Sequence, residues 1–267
     1  MEFSGRCNRV YVQDVTREDM IDYQDWLLKR GLAKNTAGKK LRRLSQFYRT
    51  VMGLKLGDGL VTMADETKDI EEIPEVFEES ALVKFFAACD AEDHLLFSVF
   101  LESGFRMQEV MHLTWDDVKF GDGVLCVTPK TVAKQGFNFT PKTRECRQVP
   151  VSTDLIERLK AFRERQAAGQ GITGKHSILV FPNRNANPQA AMLEMCKVIG
   201  SKAGLTREEC WLHKFRATMA TRWLRKADLV TVQYLLGHKN ISTTQRYLAP
   251  VKNANLRDLA NAMSNGK

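Results

Sequence analysis

No stretch of this 267-residue chain is apolar for long enough to span a bilayer, which takes about 20 consecutive apolar residues. Its first residues, Met1-Glu2-Phe3-Ser4-Gly5-Arg6, lack the hydrophobic centre of a secretory signal, so a cytoplasmic protein is expected. Six cysteines (Cys7, Cys89, Cys126, Cys146, Cys196 and Cys210) are scattered, and none forms a Cys-x-x-Cys. They read as reduced thiols, mostly in the core. No His, Cys and carboxylate cluster has metal-ligand spacing, so no metal site is expected. No G-x-x-x-x-G-K-[ST] is present, which removes the phosphate-binding loop of nucleotide hydrolases. Internal repeats and low-complexity tracts are missing too. Membrane, disulfide-framework, zinc, P-loop and solenoid classes are thereby set aside.

What is present is positive charge, unevenly placed. The net charge is +8. Residues 1–56 hold 12 Lys or Arg against 6 Asp or Glu, residues 57–79 hold 1 against 9, and residues 80–267 hold 27 against 17. Two basic blocks separated by an acidic strip suggest two polyanion-binding lobes joined by a linker that stays off the polyanion.

Thr16-Arg17-Glu18-Asp19 is a T-x-x-D cap, followed at helical spacing by Met20, Tyr23 and Leu27, with Gly31 as the stop. Asn35 or Thr36 is expected to cap a second helix with an apolar stripe of Leu41, Leu44, Tyr48 and Val51. Its other faces carry Lys39, Lys40, Arg42, Arg43 and Arg49, a pattern that suits a DNA groove or backbone. After the acidic strip, helices are expected over about 79–89 and 92–103, the latter ending at Gly104, and Arg106 opens a short helix. Gly121-Asp122-Gly123 reads as the turn of a hairpin between Val118–Phe120 and Val124–Val127. Another strand fits 147–151, Asp154 is expected to cap a helix to about 166, and Ile178–Phe181 reads as a short strand. The long segment 129–146 between strands is polar and carries Lys130, Lys134, Lys142 and Arg144. Trp115, Trp211 and Trp223 read as packing residues, and Tyr234 as core, in a stripe with Val230 and Gly237.

Two C-terminal stretches carry most of the chemistry: His213-Lys214-Phe215-Arg216, and Leu236-Gly237-His238 followed nine residues later by Tyr247. A His and an Arg three apart share one helix face. A second His after a glycine stop, and a Tyr in the next element, can converge on it. A guanidinium binds non-bridging phosphate oxygens as a fork, imidazoles donate or accept protons, and a phenol can attack phosphorus. This set suits chemistry on a phosphodiester.

With Leu101-Glu102-Ser103-Gly104-Phe105-Arg106-Met107-Gln108-Glu109 upstream and Lys142 between, these residues resemble, in order, the boxes of the tyrosine recombinase (phage integrase) family. The resemblance covers nearly the whole chain. It implies a mainly α fold with a small antiparallel sheet, arranged as a two-domain clamp. The expected parts are a helical core-binding domain over 1–56, a linker over 57–79, and a catalytic domain over 80–267 ending in a tail helix. It further implies Tyr247 as nucleophile, Arg106 and Arg216 as the phosphate clamp, and Lys142 as general acid. His213 would take or orient the tyrosine proton, His238 would bond a phosphate oxygen, and Glu109 would position its neighbours. Lys142 lies eight residues before Pro150, the family's usual spacing; Lys130 and Lys134 are the alternatives. Neither metal nor ATP is implied as a cofactor. The implied partners are double-stranded DNA and three further copies of the chain, four protomers on two DNA sites. The tail from Pro250, with Leu256, Leu259 and Met263 at helical spacing, would dock on a neighbouring protomer. The place of work would be the nucleoid. About ten residues precede Tyr11, too few for the arm-binding domain of many phage-type members; either the simpler architecture or a shortened start is expected. A type IB topoisomerase-like enzyme and a non-catalytic DNA-binding remnant are the rival readings.

Overall fold

The computed structural model describes residues 2–58, 74–169, 177–249 and 251. Most of the expected linker, and the expected tail helix beyond Val251, lie outside the described residues. The chain divides into two compact units, Met1–Glu72 and Ile73–Lys267.

The first unit is helical: α1 (Ser4–Cys7), α2 (Arg17–Lys29) and α3 (Lys34–Met52). The Thr16 cap forms as a reciprocal box. Thr16 Oγ1 accepts from the Asp19 amide at 3.3 Å, and the Asp19 carboxylate accepts from the Thr16 amide at 2.8 Å. On α2, Met20, Tyr23 and Leu27 are buried. The α3 cap differs from expectation: Ala33 precedes the helix and provides no side-chain cap. The amides of Thr36 and Ala37 already bond the Ala33 carbonyl, so Asn35 and Thr36 lie inside the first turn. On α3, Leu41 and Tyr48 are buried, whereas Val51 is exposed. From Tyr48 the next core step is i+4, and Met52 takes it, packing with Val15, Met20 and Tyr48.

The second unit is built around α5 (Ala91–Ser103), which buries Leu95, Leu96, Phe97, Val99 and Phe100. A helix apolar on all sides must be covered on all sides. Here α10 (Leu212–Leu224) and α8 (Thr153–Ala167) pack against it. α4 (Glu79–Ala87) packs against α9 (Met192–Lys202). Phe215 of α10 is fully buried and meets Phe77, Phe85, Phe97 and Phe100 with ring centroids 4.7–6.3 Å apart.

After α5 come α6 (Met107–Met111) and a three-stranded antiparallel sheet of β1 (Val118–Lys119), β2 (Val124–Val127) and β3 (Arg147–Pro150), ordered β1-β2-β3. Val127 pairs with Arg147 and Val124 with Pro150. Between β2 and β3 lies the short α7 (Val132–Gln135). α11 (Leu229–Leu236) and α12 (Ile241–Gln245) pack on each other, and α11 also meets β3. The fold is therefore mainly α with one small antiparallel sheet.

Four local expectations are corrected. Ser152, not Asp154, caps α8, its hydroxyl accepting from the Leu155 amide at 3.1 Å. Residues 178–181 form a single bridge, Thr114 with Leu179, and no strand. Their partner segment turns at once into the 3-10 helix Trp115–Asp117, so the ladder has nowhere to run. Tyr234 and Val230 are exposed, because α11 buries Val232, Leu235 and Leu236 instead. Trp115 is buried and Trp223 half-buried as expected, but Trp211 is exposed beneath the Lys197 ammonium. All six cysteines are free thiols; Cys126, Cys196 and Cys210 are buried, Cys7 and Cys89 half-buried, and Cys146 exposed.

Phe97→Ala is expected to lower unfolding stability by about 3–5 kcal/mol, read by urea denaturation, because it opens a cavity among packed rings. The exposed Val83→Ala on α4 is expected to change it by less than about 0.5 kcal/mol.

Candidate active site

The C-terminal end of α11 organises the site. A helix end leaves its last carbonyls without intrahelical partners and carries the negative pole of the helix dipole. Three successive carbonyls here accept from three different arginines. Arg147 Nε donates to Leu235 O at 2.8 Å, Arg216 Nη2 to Leu236 O at 2.5 Å, and Arg106 Nη2 to Gly237 O at 3.5 Å. The chain turns at Gly237 with φ +61°, where a Cβ would sit 3.1 Å from Arg147 Nη1. His238 follows directly.

Arg216 comes from α10 and is 1% exposed. Its Nη1 donates to Gly104 O at 2.6 Å, so it also caps α5. Gly104 has φ +61°, and a Cβ there would stand 2.9 Å from Met219 Sδ. Arg216 Nη2 also approaches His238 Nε2 at 3.0 Å, while Nε has no partner. Burial first, then the charge of Arg106, lowers the Arg216 pKa to about 9, which leaves the group cationic at neutral pH. A guanidinium only donates, so His238 Nε2 must accept, and its proton lies on Nδ1. Nδ1 accordingly donates to Thr244 Oγ1 at 2.8 Å, and Thr244 is fully buried on α12.

Arg106 precedes α6, and Glu109 stands one turn on. The Glu109 carboxylate accepts from the Arg106 amide at 2.8 Å and from Arg106 Nη1 at 2.9 Å. It also accepts a fork from Arg147, at 3.0 and 2.6 Å. Burial works to raise the Glu109 pKa, but the hydrogen bonds and charge of Arg147, then those of Arg106, prevail and hold it below the usual carboxylate value.

Tyr247 follows α12, and its side chain is buried in the site. Its hydroxyl lies 3.3 Å from His213 Nε2, and its ring lies nearly parallel to His238 with centroids 6.2 Å apart. His213 is solvent-exposed. Partial loss of hydration, then the charges of Arg216, Arg106 and Arg246, hold its pKa below the ordinary histidine value. The same causes act more strongly on His238, with desolvation first and then Arg216 and Arg106, and push it down to about 3.

The structure thus gathers Arg106, Glu109, His213, Arg216, His238 and Tyr247. Lys142 stands apart, exposed on the turn before β3, and among the described residues no hydrogen bond ties it to this cluster. Lys130 is buried in an ion pair with Asp117 at 2.8 Å and also donates to Thr128 O and Oγ1 at 2.8 and 2.7 Å, which spends its ammonium. Lys134 is exposed on α7. In the first unit Lys39, Arg42 and Arg43 are exposed on α3, and Lys40 pairs with Glu2. Among the described residues no group of three His, Cys, Asp or Glu is placed to hold a metal ion. No described helix is long and apolar enough to cross a membrane.

Sequence reasoning missed Arg147 and Thr244. Arg147 did leave a signal. It alternates with Val149 on the face of β3 that turns to the core, and a charged residue at such a position calls for a buried partner.

This fold is that of a known class. Residues 70–254 match the model of the phage integrase family, and the chain belongs to that family. Among its relatives, the tyrosine recombinase XerC of Staphylococcus haemolyticus is 30% identical over 252 residues, covering 90% of this chain and 78% of that protein. The tyrosine recombinase XerD of Pseudomonas aeruginosa is 26% identical over 262 residues, covering 93% and 82%. A structure of the XerH site-specific recombinase bound to palindromic difH substrate, a post-cleavage complex, shares the fold with a TM-score of 0.68 at 20% identity, covering 98% of this chain and 76% of that one.

A histidine whose folded pKa lies below its unfolded value contributes stability above the unfolded pKa and loses it as pH falls. His238 and His213 both have this sign, so the loss begins below about 6.5 and, for His238, continues toward 3. Unfolding free energy from urea titration is therefore expected to fall between about pH 7.5 and pH 5, and to fall less in His238→Asn. An equal pH slope in both proteins would contradict the neutral, Arg216-bonded His238.

Proposed function

We propose that this chain is a site-specific DNA recombinase that cuts and rejoins duplex DNA through a covalent tyrosine intermediate. The observation that carries the reading is the Tyr247 hydroxyl, 3.3 Å from His213 Nε2, in a cluster that also holds Arg106, Arg216 and His238. In the proposed step the Tyr247 oxygen attacks the scissile phosphorus. A tyrosine–phosphorus bond forms, the bond to the 5′ oxygen breaks, and a 3′-phosphotyrosine and a free 5′-hydroxyl result. The tyrosine proton passes to His213, and Lys142 supplies a proton to the departing 5′ oxygen. Arg106 and Arg216 stabilise the charge gathering on the non-bridging oxygens, the Arg216 Nε being the donor without a partner. His238 bonds a phosphate oxygen when its proton shifts from Nδ1 to Nε2, Nδ1 then accepting from the Thr244 hydroxyl, and Arg216 turns from it to the phosphate. The ester keeps the phosphodiester energy, so religation needs no ATP.

Tyr247 is 3% exposed, so the covalent step requires its segment to move outward before in-line attack. The basic face of α3, with Lys39, Lys40, Arg42 and Arg43, supplies further contacts to the DNA backbone. Four copies acting on two sites would exchange strands in pairs through a Holliday junction, with the tail after Pro250 docking between neighbours.

Covalent capture on a pool of nicked duplexes of randomised sequence, recovered as SDS-resistant protein–DNA adducts, tests the reading. The wild type should form adducts, and Tyr247→Phe should form none while retaining DNA in filter binding. Adducts from the Tyr247→Phe protein would remove Tyr247 as nucleophile. Relaxation of supercoiled plasmid by dilute monomer would place the chain with topoisomerases instead.

Lys142→Ala should slow cleavage by about 10²–10³-fold. A substrate with sulfur in place of the bridging 5′ oxygen should restore the rate, because a thiolate leaves without a proton. Failure of that rescue would take the acid role from Lys142.

A further inference from the structure

Arg147 belongs to none of the roles above, yet its side chain is tied into the site by three hydrogen bonds. The side chains of Arg147 and Glu109 are each 2% exposed. Nη1 and Nη2 fork onto the two Glu109 oxygens, Nε caps Leu235 O, and the guanidinium lies over the Phe105 ring at 5.2 Å. All three nitrogens of Arg147 are thus engaged inside the protein. It meets instead the carboxylate that holds Arg106. Without Arg147 that buried carboxylate would lean on Arg106, drawing it inward and cancelling its charge.

We propose that Arg147 is a positioning residue for strand cleavage: it neutralises Glu109 and ties β3 to the end of α11, so that Arg106 keeps its charge and aim for the DNA phosphate. The inference rests on the recombinase reading for the role of Arg106, but the Arg147–Glu109 coupling itself can be measured without DNA.

The test compares Arg147→Gln, Arg147→Lys, Glu109→Gln and the double variant Arg147→Gln/Glu109→Gln. On nicked duplexes that capture the wild type, Arg147→Gln should cleave about 100-fold more slowly, with DNA retention changed by less than about threefold. The double variant should recover about tenfold over Arg147→Gln, because the uncompensated carboxylate is gone. Arg147→Lys, which keeps the charge and loses the fork, should fall between wild type and Arg147→Gln. Cleavage by Arg147→Gln within about twofold of wild type would overturn the proposal. So would a double variant no faster than Arg147→Gln, which would reduce Arg147 to a packing residue. If Arg147→Gln fails to fold, a folded double variant supports the proposal and an unfolded one overturns it.

The DNA-free measurement is the unfolding midpoint against pH. Glu109 is faced by Arg106 at the start of α6, Arg147 on β3 and Arg216 on α10. Its lowered pKa contributes stability that is lost as pH falls through about 4.5 and below. In Arg147→Gln this acid-side loss should shrink or reverse, and the Glu109→Gln exchange should abolish that difference between the Arg and Gln forms. An unchanged acid-side slope would overturn the coupling. If no DNA captures the wild type, the recombinase reading fails, while this comparison still decides whether Arg147 governs Glu109.

Discussion

The end of α11 is where the second unit solves two problems with one set of groups. Helix packing leaves the Leu235, Leu236 and Gly237 carbonyls pointing into the protein, and such acceptors are costly unless paired. Arg147, Arg216 and Arg106 pair them, each reaching in from a different element. The interaction that stabilises the helix end therefore also concentrates positive charge in front of His238. β3, α6 and α10 are fastened at one point.

Concentrated cations have consequences for every other titratable group nearby. Burial and the charges of Arg216 and Arg106 hold both His238 and His213 below the ordinary histidine value, so both rest as neutral imidazoles. Neutral imidazoles are what the proposed chemistry needs, His213 to accept a proton from Tyr247 and His238 to bond a phosphate oxygen once its proton shifts to Nε2. The carboxylate of the described cluster, Glu109, stays ionised because it serves two arginines. One buried anion among three cations leaves a surplus of positive charge, and a phosphodiester is the ligand that would use it.

Much of this was legible in the amino-acid order. His213 and Arg216 share a face because three residues make nearly a turn. Gly104 and Gly237 stop helices because only glycine takes a left-handed conformation there without strain, and the Gly-Asp-Gly turn joins β1 to β2 by local chemistry. Where reading failed, two local solutions were degenerate. Val51 and Met52 both lie within a turn of Tyr48, and only the packing against Val15 and Met20 selects Met52. Residues 229–236 are apolar on most sides, so periodicity alone does not say that Val230 and Tyr234 face water. Ser152 and Asp154 are both good caps, and the chain entering α8 decides between them.

The sequence by itself determined the main helices, the hairpin turn and the identity of the candidate site groups, because these follow from propensity, spacing and side-chain chemistry over a few residues. Only the tertiary structure decided which charges share a carboxylate, which lysine is spent in a buried pair and which tautomer His238 holds. Arg147 lies 38 residues from Glu109 and 88 from Leu235 in the chain. No local pattern encodes a contact across such distances. It exists because burial brings the elements together, and buried polar groups must then find one another.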